Sequence, residues 1–201
     1  GHRAVIAACT GLGQAVHFRD GAELQAMATE GGHTDFAANS EQEDALLKFL
    51  RTKYSGHVSY ERVVSGEGLV NIYQFLKSQG RYTESQVIEQ QMTGEDPASV
   101  IGKAGVAGKD DLCVEALRLF CKIYGAEAGN LALNCLPYGG IYLAGGIGPK
   151  ILPRLQKGEF MEGFLNKGRY RDMLEKIPVK VCLNPEVAIL GALKYAVTKL
   201  N

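Results

Sequence analysis

Neither sign of charge is in excess: 22 lysines and arginines stand against 22 aspartates and glutamates in 201 residues. That balance argues against a nucleic-acid partner held on a broad basic face. It argues equally against a disordered, self-repelling chain. Long apolar runs are missing too. No stretch approaches the roughly 18 residues of a membrane span, so no membrane partner is expected. The run Ala4-Val5-Ile6-Ala7-Ala8-Cys9 is too short for a signal-peptide core, and a cytoplasmic location is expected. Gly1-His2 suits either the remnant of a cleaved tag or the start of a trimmed chain. Cysteine is sparse: Cys9, Cys113, Cys121, Cys135 and Cys182 form no CxxC pair. They read as small buried apolar residues in a reducing compartment, with no zinc expected. Internal repeats, low-complexity tracts and long linkers are absent.

What is present is a globular apolar share of 46% and a surplus of glycine. There are 25 glycines in 201 residues, where average usage would give about 14. Several cluster beside short apolar runs, as happens where a backbone approaches another backbone or a ligand. Arg3–Ala8 reads as a strand ended by Thr10-Gly11-Leu12-Gly13. Ala15–Phe18 and Glu23–Ala28 around Asp20-Gly21 read as a hairpin. Ser40 with Glu43 forms a capping box opening a helix. From Gly56 to Gly108 short helical segments are broken by Gly and Pro. The longest helix runs from about Asp111 to Cys135, with one apolar stripe from Cys113 through Phe120 and Tyr124 to Cys135. Further elements are a strand at Gly140–Ala144, a helix at Lys150–Leu155, and an amphipathic stretch Phe160–Leu174 interrupted by Gly168. A strand at Pro178–Leu183 and a helix at Glu186–Leu200 close the chain. Strands alternating with helices predict an α/β domain with helices packed on a central sheet.

Five segments carry possible chemistry. A hydroxyl and free N–H groups at the Thr10-Gly11-Leu12-Gly13 turn suit phosphate oxygens. The same turn serves equally as an ordinary hairpin entry, and it is neither a Walker loop nor a Rossmann fingerprint. In Glu30-Gly31-Gly32-His33, a carboxylate and an imidazole flank two glycines. Such a loop bends sharply and can aim both groups at sugar hydroxyls, although it also reads as a polar surface loop. Glu61, just beyond Ser59, has an ordinary reading as a first-turn carboxylate. Leu143-Ala144-Gly145-Gly146 runs a strand into paired glycines, where a flat adenine or ribose could lie against the backbone. Ser65-Gly66-Glu67-Gly68 opens a helix that could face the same nucleotide.

Taken in order, these segments resemble the C-terminal part of bacterial-type glucokinases, ATP-dependent sugar kinases of the actin-like ATPase fold. The likeness runs on through Gly129-Asn130-Leu131-Ala132-Leu133, Leu143-Ala144-Gly145-Gly146-Ile147, Lys167-Gly168-Arg169 and Leu190-Gly191-Ala192. The resemblance implies a ribonuclease H-like, actin-like domain: a central mixed sheet with helices packed on it. Residues 1–201 would form that single domain, with 56–108 as a helical insertion. It implies that Glu30, His33 and Glu61 bind glucose. Thr10 and Gly11 would hold phosphate, and Gly145 and Gly146 the adenosine of ATP, with Mg2+ on the phosphates. A homodimer is expected. Ala7, Ala8 and Cys9 stand where the family carries a glycine-rich run, which predicts side chains crowding the phosphate turn. The family's first domain holds an Asp-Gly-Gly-Thr loop and an Asn-Asp pair that supplies the catalytic base. Neither motif occurs in these residues, so the chain by itself is expected to be inactive. Asp35 is the only nearby carboxylate to consider as a base, against an ordinary loop role. The rival reading is a non-enzymatic sugar- or nucleotide-binding or dimerisation module. A sugar-sensing repressor is disfavoured because no DNA-reading helix-turn-helix appears.

Overall fold

The structure, a computed structural model, describes residues 1–21 and 23–200, and of 23, 24 and 198–200 the backbone alone. Among the described residues, five strands form one mixed sheet: β1 (Arg3–Ala8), β2 (Leu12–Asp20), β3 (Glu23–Thr29), β4 (Ile141–Ala144) and β5 (Val179–Val181), in the order β3-β2-β1-β4-β5. The first three are antiparallel neighbours, and β4 and β5 run parallel to β1. Alternation in β1 turns Ala4, Ile6 and Ala8 into the core, all fully buried. The carboxyl ends of β1 and β4 therefore lie side by side, which is where open α/β sheets place their ligands.

The described residues form ten helices: α1 (Glu41–Lys53), α2 (Gly66–Ser78), α3 (Gln86–Gly94), α4 (Pro97–Ala107), α5 (Asp111–Cys135), α6 (Ile147–Lys150), α7 (Leu152–Leu155), α8 (Glu159–Leu165), α9 (Arg171–Leu174) and α10 (Val187–Leu200). Ser40 caps α1 by accepting from the Glu43 N–H at 3.2 Å. The Glu43 carboxylate reaches back one residue further than a standard capping box, to the Asn39 N–H. The segment expected as one helix at 150–155 is two. Pro153 has no N–H to offer the Pro149 carbonyl, so the turn breaks at Ile151. The stretch from 160 ends its helix at Leu165, and Gly168 turns with φ +53°.

α5 differs from its expected single stripe. Leu112, Leu119, Ile123 and Glu127 are buried as well as the stripe itself. The helix is enclosed because α2 and α4 pack on it, α8 crosses it, and the Tyr124 hydroxyl donates to the Ile6 carbonyl of β1. The α5–α8 crossing is backbone against backbone. A Cβ on Gly125 would lie 1.8 Å from the Phe160 carbonyl oxygen, and one on Gly163 would lie 2.0 Å from that of Lys122. The cysteine expectation holds for Cys113, Cys121 and Cys135, which are buried, is met in part at half-buried Cys182, and fails for Cys9, which is exposed. Cys9 lies one residue past the last inward position of β1, where the chain has left the core. α10 presents Ile189, Leu190 and Leu193 to solvent.

Candidate functional site

The turn between β1 and β2 is the hub. Cys9 N–H donates to the Gly11 carbonyl at 2.8 Å, which folds the turn tightly. Thr10 at its tip is exposed. On one side, the Cys9 carbonyl accepts from the Gly66 N–H at 2.9 Å, docking the N-terminus of α2 against the turn. Ser65 caps that helix through the Gly68 N–H. A helix of this length brings free N–H groups and a partial positive charge to its start, both suited to an anion. On the second side lies Gly145, with φ +85°; a Cβ there would sit 2.5 Å from the Ala8 carbonyl oxygen and 2.6 Å from Cys9 Sγ. Glycine is thus required at 145 by both conformation and space. Gly146 is exposed beside it. Thr10, Gly11, Gly145 and Gly146 accordingly share one edge of the sheet. Of the side chains expected to crowd the turn, Ala8 leaves it and Cys9 stays beside it. Ala8 is turned fully into the core, and Cys9 Sγ lies against Gly145.

On the third side is Glu61. Its Oε2 accepts from the Leu12 N–H at 2.9 Å, and its Oε1 lies 3.9 Å from His33 Nε2. A Cβ on Gly11 would lie 2.5 Å from Glu61 Oε2, so glycine makes room for the carboxylate. His33 and Glu61 come from distant segments that pair like short strands. Phe36 N–H donates to the Val58 carbonyl, and Tyr60 N–H to the Thr34 carbonyl. The Glu30–His33 loop bends as a tight 3-10 turn over β2, where a Cβ on Gly32 would collide with the Leu12 carbonyl oxygen at 1.9 Å. Glu30 is exposed at the mouth of this turn, two residues from buried Gly32.

Asp35 is directed elsewhere. Its carboxylate lies 2.9 Å from His57 Nδ1, and its side chain is 90% exposed. The other ring nitrogen of His57 meets the His33 carbonyl at 2.8 Å. Asp35 thus pairs with His57 at the surface.

Sequence reasoning missed a polar cluster below the loop: Gln14, Glu127, Asn130 and Lys167. Glu127 is buried, and burial pushes its carboxyl above the ordinary range despite hydrogen bonds from Gln14 and Asn130. Burial pulls the Lys167 ammonium down. Burial, with the nearby Glu127 charge, pushes the Tyr60 hydroxyl up to about 12. The available signal was one carboxylate set among apolar positions of α5. Among the described residues no group of three or more His, Cys, Asp or Glu could hold a metal ion. A cavity of about 710 Å³ between α3 and α4 contains none of the residues above.

Comparison with known proteins is consistent across sequence and structure. The family model described as glucokinase matches residues 1–199. The glucokinase of Trichormus variabilis is 49% identical over 201 residues, covering 94% of this chain and 59% of that protein. That of a Nostoc species is 50% identical with the same coverage. A crystal structure of glucokinase from an Antarctic psychrotroph superposes with a TM-score of 0.77 at 30% identity, over 92% of this chain and 54% of that one. At 24% identity, the glucokinase of Balamuthia mandrillaris in complex with glucose shares the fold, with a TM-score of 0.77. The chain spans about 59% of the length of the curated relatives it matches.

Proposed function

Because the chain belongs to the glucokinase family, we propose that it forms the sugar- and nucleotide-binding portion of an enzyme that transfers the γ-phosphoryl group of ATP to the 6-hydroxyl of glucose. The observation that supports this best is the position of Glu61. Its carboxylate bridges the turn proposed for phosphate, through Leu12 N–H, and the loop proposed for sugar, through His33. Phosphoryl transfer depends on placing donor and acceptor in line, and a shared side chain fixes that spacing.

In this reading Glu30, His33 and Glu61 accept and donate hydrogen bonds around the glucose ring. Thr10, Gly11 and the start of α2 cradle the phosphates. Gly145 and Gly146 give the adenosine a flat backbone surface. The nucleotide arrives as its magnesium complex, so the metal enters as part of the substrate. The sugar hydroxyl must still lose a proton. The family's Asn-Asp pair is not among these residues, and Asp35 is engaged with His57. We therefore assign the base to a segment outside the 201 residues, and propose that the chain alone does not turn over. No described helix is long and apolar enough to cross a membrane. The apolar side chains that α10 exposes support association into a homodimer.

The test is a coupled assay for glucose 6-phosphate with Glu30→Ala and its parent in the full-length protein. Loss of a charged hydrogen bond costs about 1.5–3 kcal/mol, so KM for glucose should rise roughly 10- to 100-fold. Unchanged glucose kinetics would refute the assignment.

A further inference from the structure

The two segments proposed to hold the sugar rest on one buried polar chain to which the family likeness gives no role. Glu127 on α5 is 3% exposed. Its Oε1 accepts from Gln14 Nε2 at 2.6 Å, and its Oε2 from Asn130 Nδ2 at 2.9 Å. Asn130 Nδ2 also donates to the Tyr60 hydroxyl at 2.9 Å, and Asn130 Oδ1 accepts from Lys167 Nζ at 2.6 Å. An ammonium only donates and a carboxylate only accepts. The two ions therefore fix both amides. Asn130 turns its oxygen to Lys167, and Gln14 turns its nitrogen to Glu127 and its oxygen towards the loop. A Cβ on Gly31 would lie 2.3 Å from that oxygen, so the loop is seated on the Gln14 amide. Thr29 Oγ1 donates to the Gln14 carbonyl and accepts from the Gly31 N–H, fastening the same seat. The other branch ends at Tyr60, the residue before Glu61, whose own N–H holds the Thr34 carbonyl.

We propose that Glu127 is a positioning residue for the sugar site. Through Gln14 it sets the place of the Glu30–His33 loop, and through Asn130 and Tyr60 it sets the place of Glu61. Ligands drawn from two separate segments thereby keep one spacing. An apolar side chain at 127 would fill the helix face without the desolvation a buried carboxylate incurs. Holding two donors in fixed directions is what the carboxylate adds. The inference rests on the sugar-site reading above.

The test measures kcat and both KM values in the full-length protein for Glu127→Gln, Gln14→Met and their combination, with Glu30→Ala alongside and melting temperatures throughout. Each single variant should raise KM for glucose about tenfold while kcat and KM for ATP stay within about twofold. The double variant should cost less than the sum of the singles, because both cut the link between Gln14 and Glu127. Gln14→Met keeps the side chain's shape and leaves α5 untouched, so it carries the test if Glu127→Gln does not fold. An unchanged KM for glucose in the variants would overturn the inference. So would parallel losses in kcat, both KM values and melting temperature, which mark general packing. If Glu30→Ala raises KM for glucose and the other variants do not, the positioning role alone fails. If Glu30→Ala changes nothing, the sugar-site reading fails and the inference falls with it.

Discussion

At the scale of single residues, glycines and one carboxylate carry the sharpest tests. Gly32→Ala would drive a Cβ to 1.9 Å from a backbone oxygen of β2, which cannot swing aside as a side chain could. The 3-10 turn must lift, so thermal unfolding should show a loss of about 1–3 kcal/mol. Gly21 makes a control, since a Cβ there meets nothing within 4 Å. Its φ of +55° should confine the cost of Gly21→Ala to about 1 kcal/mol. Glu127 gives a test with a sign. Its carboxyl is held above the ordinary range by burial, so the folded state binds that proton more tightly than the unfolded chain. The resulting stabilisation is full below the ordinary glutamate range and is lost as pH rises through the elevated folded value. A glutamine does not titrate. The melting temperature of Glu127→Gln minus that of the parent should therefore increase from about pH 4 to about pH 8. A difference that falls over that range would show the carboxylate to be better stabilised by its donors than burial disfavours it.

Among elements, α5 decides the architecture. Asp110 caps it, accepting from the Cys113 N–H at 2.8 Å in a buried setting. Asp110→Ala should cost about 1–2 kcal/mol. The cap at Asp96 of α4 makes the same bond to Ser99 N–H in the open, where water substitutes readily, so Asp96→Ala should cost less. Denaturant melts of the pair check the order. The α5–α8 crossing is more demanding. Gly125 and Gly163 let each helix approach the other's carbonyls, and alanine at either position must force the axes apart. Gly125→Ala should destabilise by at least about 2 kcal/mol. Because α8 leads towards Lys167, it should also disturb the Asn130 contact. The helix stripe was legible from its period, as was the extent of α5 from about Asp111 to Cys135. The close crossing was not. Gly125 and Gly129 lie on α5 and Gly163 on α8, and only their facing positions give them meaning.

On the scale of the whole molecule, the proposed turnover and association become measurable. The chain should fold, since its buried apolar residues join one core that runs from β1 through α5 to Ile177. It should form no glucose 6-phosphate at a detectable rate, because loss of a general base alone costs about 100- to 10,000-fold. Turnover within tenfold of the full-length protein would relocate the base into these residues, and Asp35 would be the first to substitute. Sedimentation should show self-association. Leu193→Lys on the exposed side of α10 should weaken it, since a charge there would be desolvated in any apolar contact.

By itself the sequence determined the elements, because they depend on local causes. A short apolar run marked β1, Asp20-Gly21 the hairpin, a capping box the start of α1, and an apolar stripe α5. It also determined family membership, because the order of short motifs survives in one dimension. The convergence of Glu61 with His33, the diversion of Asp35 to His57 and the seat under Gly31 were decided only in three dimensions. The reason is common to all three. Each contact joins segments whose separation is closed by the sheet order β3-β2-β1-β4-β5 and by the pairing of Thr34–Phe36 with Val58–Tyr60. A side chain's hydrogen-bond partner is set by that closure, not by its neighbours in the chain.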